Sequence, residues 1–419
     1  MEPLGTPAAG LLLLWSGKLL KEPKYQQAAI DAARGIAASQ NASGQVPLHA
    51  MFAGTAGGRD ETQIVPDRAA TRAAVALLVS VLHDDPQAPE LLSRSAQRAV
   101  QWLIRQQTAD GGWPSGYVLK KPDDQRPENL RIIRMDTPDV RDTTFAMLLA
   151  ADTLDDRLVT QAASKSVLKI VNLRLGVTPQ APTTQPIAGD LPPATQETSL
   201  SPLASILSDE PDADRRTNNL WSTVYRLSGT VDPELTEFPA SADIPASRYA
   251  IQALLGAYLM TGERQTGLAL DLASQAAAQL REPDGTWKTR YPRMPSTAPA
   301  AQDSDGIFGP RRSASISTTA LGPALHAVQQ LKLLRRDRYI EMLDNQFTVR
   351  QHLAATVCGL TDSPLTLDLP VTKSEVQTYV KEHEADWRTL DGPVPQSLQP
   401  RLTRLWTLMI RARLEQTLQ

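Results

Sequence analysis

The sequence predicts an all-α fold built from repeated helical hairpins, and three observations carry the prediction. A phrase of helix, glycine turn, long loop and second helix recurs along the chain. No sustained alternation of apolar and polar residues marks a half-buried strand. Of the 419 residues, 41% are hydrophobic, enough for a sizeable core.

The first apolar run, AAGLLLLWSGKLL, has no positive charge before Leu11, and Lys18 interrupts it. No small-residue cleavage site follows, and the run is too short to span a bilayer. It is expected to be the first buried helix rather than a secretion signal.

Three copies of the phrase come next. The first is AARGIAASQNASGQVP, then PDRAATRAAVALLVSVL. The second is AVQWLIRQQTADGGWP, then PDVRDTTFAMLLAADTL. The third is ASQAAAQLREPDGTWKTRYP, then SISTTALGPALHAVQQL. Gln40 and Gln107 occupy equivalent places before a proline, and Thr71, Thr143 and Thr318 lie near the second helix start. A weaker unit pairs NLWSTVYRLSG with IPASRYAIQALLGAYLMTG. One such hairpin cannot cover its own apolar faces, so neighbours must pack side by side. Tight turns at one end and long loops at the other predict an α/α toroid closing round a central cavity, with the long loops on one rim. An open solenoid is the alternative.

Within the second copy, Gly111 and Gly112 stop the helix and Pro114 prevents its resumption. Trp113 then either plugs the seam between two hairpins or faces a ligand at the rim. The stretch 178–199 is rich in Pro and Thr and reads as an extended excursion. The chain is thus expected as one toroid in two halves, 1–177 and 218–419, around the excursion 178–217. The tail from Arg401 to Gln419 is an amphipathic helix whose Leu402, Leu405, Leu408 and Met409 face is expected to dock on the toroid.

A net charge of −3, from 43 basic and 46 acidic residues, gives no footprint for nucleic acid. No stretch predicts a membrane span, and a monomer is expected. Cys358 is the only cysteine, which excludes an internal disulfide, and it reads as core. The five histidines (49, 83, 326, 352 and 383) show no metal spacing. The sequon Asn41-Ala42-Ser43 is too short a pattern to use.

Two stretches carry candidate chemistry. In IIRMDTPDVRDTTF, Asp136, Asp139 and Asp142 lie close together, flanked by Arg134 and Arg141. A helix start explains part of this, with Asp139 as N-cap and Asp142 at the third helical position. The surplus acids are oxygen ligands at a spacing suited to calcium. In DGTWKTRYPRMP, Lys288, Arg290 and Arg293 alternate around Trp287 and Tyr291. Cations beside aromatic rings suit an acidic sugar. The alternative is a solvated loop with Trp287 as a second seam plug.

QQTADGGWP followed by PDVRDTTFAMLLA resembles the isoprenoid cyclases (squalene cyclases and relatives), with their repeated Q…DGGW turn and D-x-D-D-T acid motif. Asp139, Val140, Asp142 and Thr143 match that motif, but Arg141 stands where the proton-donating carboxylate belongs. Aromatics are only 5% of the chain, too few to line a carbocation cavity. That resemblance therefore implies the fold and not the chemistry.

The chain also resembles the α/α-toroid pectic acid (pectate) lyases. Gly111 to Pro114 match their GGWP turn, YRLSGTVDPELTEFP resembles the stretch before their third repeat, and Trp287, Arg290 and Tyr291 match a W-x-R-[FY] element loosely. Their Asn-Asp-Gly-Ala step is absent. This resemblance implies β-elimination of polygalacturonate with calcium held by Asp136, Asp139 and Asp142. It implies Arg290 or Lys288 as base, the latter being easier to deprotonate. Substrate contacts would come from Trp113, Tyr117, Arg141, Trp287, Tyr291 and Arg293. The rival expectation is a non-catalytic sugar- or peptide-binding scaffold of the same fold.

Overall fold

A computed structural model describes residues 5–47, 68–114, 132–175, 218–226, 241–291, 321–344, 347–362 and 399–418, together with 365 and 378. Among the described residues are twelve helices and four short strands. The helices are α1 (Gly5–Leu20), α2 (Pro23–Ser39), α3 (Arg68–Asp84), α4 (Glu90–Gln106), α5 (Asp139–Thr153) and α6 (Arg157–Asn172). They continue as α7 (Ile244–Thr261), α8 (Arg264–Gln279), α9 (Gly322–Leu334), α10 (Arg336–Asp344), α11 (Val349–Val357) and α12 (Gln399–Leu418).

The first ten helices form five hairpins. Helices α1, α3, α5, α7 and α9 touch one another in sequence, and α2, α4, α6 and α8 back them from outside. Composition sorts the two layers. Helix α5 buries every residue from Val140 to Ala150, and α3 buries nearly all of its length. A helix apolar all round must be covered on every side. In contrast, α4 buries Leu92, Ala96, Ala99, Val100 and Leu103 at helical spacing and turns its arginines to solvent, as an outer helix must.

Each inner helix passes to its outer partner through a tight turn, and each outer helix returns through a longer connection. The glycine turns after α2, α4 and α8 therefore share one rim with the starts of the inner helices. Two short antiparallel pairs brace that rim. Strand β1 (Ile132–Arg134) pairs with β2 (Val224–Arg226), and β3 (Ala242–Asp243) pairs with β4 (Arg290–Tyr291), setting Asp243 opposite Arg290.

Among the described residues, a further helix lies where a central cavity was expected. Helix α11 packs against α1, α3, α5 and α7. Since the outer helices cover the other side, a helix touching four successive inner ones lies on their concave face. Its Leu353 meets the α7 backbone at Gly256, and Cys358 just beyond it is fully buried against α3. Burial pushes the Cys358 thiol up, which leaves it inert core.

The N-terminal run is the buried helix α1, with Leu11, Leu12 and Trp15 inside. Helix α12 docks on it through Leu402, Leu405, Trp406 and Met409. Trp406 packs 5.2 Å from Trp15 and 4.9 Å from Phe347, ring centre to ring centre. No helix of the described residues is long and apolar enough to cross a membrane. The excursion 178–217, His49, Thr318 and His383 lie outside the described residues.

Candidate functional site

The glycine turns join hairpins rather than present side chains. Gln107 Nε2 donates to the Gly111 carbonyl and, at 3.0 Å, to the Ala162 carbonyl of α6. Gln40 repeats this with the Gly44 carbonyl and, at 3.0 Å, the Ser95 carbonyl of α4. Gly111 has φ 98°, and a Cβ there would stand 2.2 Å from the Lys165 carbonyl oxygen; Gly44 meets Arg98 at the same distance. Each turn thus presses its backbone onto the next outer helix, where only glycine fits.

Trp113 sits in that seam, 1% exposed, with Nε1 donating to Ser166 Oγ at 2.8 Å. Trp287 is buried likewise, its Nε1 donating to the Ala277 carbonyl. The expectation that both stack on sugar is corrected: their faces are packed and their donors used. Tyr117 and Arg293 lie outside the described residues.

The acid-rich stretch forms something other than a helix cap. Pro138 precedes α5, and no side chain caps it. Asp139 instead accepts from Arg68 and Arg72, which are one turn apart on α3. Asp142, fully buried, accepts from Arg72 Nη2 at 3.2 Å and Arg141 Nε at 2.7 Å. Arg141, also fully buried, donates through Nη1 to Gln252 Oε1 at 2.6 Å and Asp362 Oδ1 at 3.2 Å. Arg248 on α7 donates to both the carboxylate and the carbonyl of Asp362. The Tyr249 ring lies 5.0 Å from the Arg141 guanidinium carbon and 5.2 Å from that of Arg248.

Burial acts to lower the Arg141 pKa, but the Asp142 and Asp362 carboxylates outweigh it and hold it above its ordinary value. Burial raises the Tyr249 phenol, and the Asp362 charge adds to that. Four arginines and three aspartates meet where α3, α5 and α7 begin, and helix starts carry partial positive charge. The assembly is cationic overall, with Asp139 and Asp362 as its half-exposed carboxylates, 27% and 38% accessible.

A calcium ion does not fit the three acids that were expected to hold it. Asp139 and Asp142 face guanidiniums, and Asp136 pairs with Arg134 at 2.7 Å. Among the described residues no three His, Cys, Asp or Glu side chains are placed to hold a metal ion.

A second, smaller cluster lies beside the first. Asp243 caps α7 by accepting from the Ala246 N–H at 2.9 Å and also accepts from Arg290 at 3.3 Å. Burial pushes Asp243 above the usual carboxylate range, although both partners pull it back. Arg134 senses the same carboxylate. The stretches holding Asp136–Asp142 and Lys288–Tyr291 therefore meet round the start of α7. Arg290 is engaged with Asp243 rather than open. Lys288 is exposed and pairs with Glu282 at 3.3 Å. The Tyr291 hydroxyl donates to the Leu280 carbonyl at 2.6 Å, bracing the turn after α8.

Arg68, Arg72, Arg248, Tyr249, Gln252 and Asp362 were not anticipated from sequence. The signal for most of them was available. Arg68 and Arg72, like Arg248 and Gln252, are polar residues four apart on helices otherwise apolar all round, where a buried charge demands a partner. Asp362 had no local signal.

No family model matches the chain, and no curated protein is similar to it. Two solved structures are similar to it. One is the unsaturated glucuronyl hydrolase of Bacillus sp. GL1, responsible for the degradation of glycosaminoglycan. It is 13% identical, with a TM-score of 0.40 over 84% of this chain and 71% of that one. The other is a UGL variant with dGlcA-Glc-Rha-Glc, also 13% identical, with a TM-score of 0.39 over the same shares.

Proposed function

We propose that this chain is a carbohydrate-active protein and that the rim over α3, α5 and α7 takes an acidic oligosaccharide. The observation that carries the reading is the convergence of Arg68, Arg72, Arg141 and Arg248 at three inner-helix starts. Guanidinium forks match carboxylates in shape and charge. Helix starts add positive potential at the same place. The partly exposed Tyr249 ring offers apolar surface to a sugar body.

The finer reading is cleavage of polygalacturonate by β-elimination. That step removes the proton α to the uronate carboxylate, after cationic groups have stabilised the charge that builds there. Arg141 and Arg248 suit the second task, and exposed Lys288 is the residue this reading assigns to the first. A specific observation favours the rival, a non-catalytic binder: Asp139, Asp142 and Asp362 each accept from two arginines. Calorimetry with trigalacturonate against neutral maltotriose, run beside absorbance of the unsaturated product on polygalacturonate, separates them. Product formation that Lys288→Ala abolishes supports the lyase. Trigalacturonate binding with no product supports the binder. Equal or absent binding of the two sugars overturns both.

A further inference from the structure

The contact between Arg248 and Asp362 is lopsided. Arg248 uses Nη2 for both the carboxylate and the carbonyl oxygen of Asp362, the latter at 2.9 Å. Its Nε, on the same edge of the guanidinium, is buried and has no hydrogen-bond partner. An arginine edge presents Nε and Nη2 as a parallel pair that a carboxylate fills with both oxygens. A buried donor left empty is costly. Asp362 fills half of that edge and is itself only half-buried.

The remaining partners are rigid. Arg141 and Gln252 are fully buried and bonded to each other, and Gln252 Nε2 also donates to the Asp362 carbonyl at 3.0 Å. The backbone around Asp362 is pinned on both sides. Leu360 is buried, and the Leu365 carbonyl accepts from the Tyr339 hydroxyl at 2.6 Å. The Asp362 side chain can therefore leave for solvent while its carbonyl stays bonded.

We propose that Arg141, Arg248, Gln252 and Tyr249 form a carboxylate-binding subsite, and that Asp362 is its built-in occupant. A ligand carboxylate takes the Arg248 Nε–Nη2 edge, contacts Arg141 Nη1, and displaces the Asp362 side chain. Asp362 is then an internal competitor that sets the affinity of the rim. In naming a uronate as the ligand, the proposal rests on the acidic-sugar reading above; the carboxylate subsite itself does not.

An occupant that fills the site about nine-tenths of the time weakens ligand binding roughly tenfold. The test is calorimetry of the full chain with galacturonate, with acetate as the minimal carboxylate and galactose as the neutral control. Asp362→Ala and Asp362→Asn are expected to bind both carboxylates about tenfold more tightly than the parent, with galactose unchanged. Adding Arg248→Gln to either variant is expected to erase the gain. A gain for acetate but not for galacturonate keeps the subsite and removes the sugar reading. Trigalacturonate binding by the parent, with no gain in either variant, keeps the sugar reading and overturns the occupant. Failure of both variants to fold makes Asp362 a structural counter-ion, and that too overturns it.

Discussion

Trp113 shows what the Gly-Gly-Trp-Pro turn does. Its ring fills the seam between α4 and α6, and its single donor is bonded to Ser166, which in turn shares a hydrogen bond with Thr144 on α5. Truncation leaves a cavity among three helices. Trp113→Ala is expected to cost roughly 3–5 kcal/mol in urea unfolding, with no specific loss of trigalacturonate affinity. A stable variant that loses affinity returns Trp113 to the ligand. Gly111 makes the same point through the backbone. Gly111→Ala pays about 1–2 kcal/mol for its left-handed conformation and adds a clash with the Lys165 carbonyl. A melting temperature equal to the parent's contradicts this account. The sequence named the turn and offered both roles for its tryptophan. It could not choose between them, because burial depends on the helix that brings Ser166, 53 residues later.

At the scale of elements, the helices of the repeat were legible because a 3.6-residue period and glycine stops are local signals. The acid stretch was misread because the partners of Asp139 sit on α3, far back in the chain. Helix α11 was not foreseen at all. It is nine residues long, and its place against four inner helices follows from tertiary packing rather than from its own pattern. It also carries the residue that ties packing to pH. His352 is buried, lies edge-on to Trp406 at 5.8 Å, and its Nε2 has no hydrogen-bond partner. Burial lowers its pKa from 6.5 to about 4. The unfolded chain therefore binds a proton as pH falls through 6.5, while the folded chain resists until about 4. Stability falls across that window by up to about 3 kcal/mol and is flat with respect to this group below it. Urea midpoints measured from pH 7 to pH 4 should show the loss, and His352→Leu should remove this component of it. An unchanged slope in that variant means the histidine protonates in the folded state.

For the whole molecule, the central question is where a ligand can go. Five hairpins with their inner helices side by side imply a hollow middle, and a hollow middle invites a ligand. Here α11 lies on the concave face of the inner helices, and Leu353, fully buried, touches the α7 backbone at Gly256. The arginine cluster lies on the rim, past the C-terminal end of α11, where the chain reaches Asp362. Leu353→Ala separates the two places. It removes packing from the centre, with an expected loss of about 2–5 kcal/mol in urea unfolding. The same variant, measured below its unfolding transition, should bind trigalacturonate with parental affinity, because Arg141, Arg248 and Gln252 keep their partners. Mutations at separate, non-touching sites act independently to within a few tenths of a kcal/mol. A cavity that admits ligand gives the opposite pattern, a small stability loss with a large change in affinity. That outcome moves the site from the rim to the centre and reduces the arginine cluster to a structural clamp joining α3, α5 and α7.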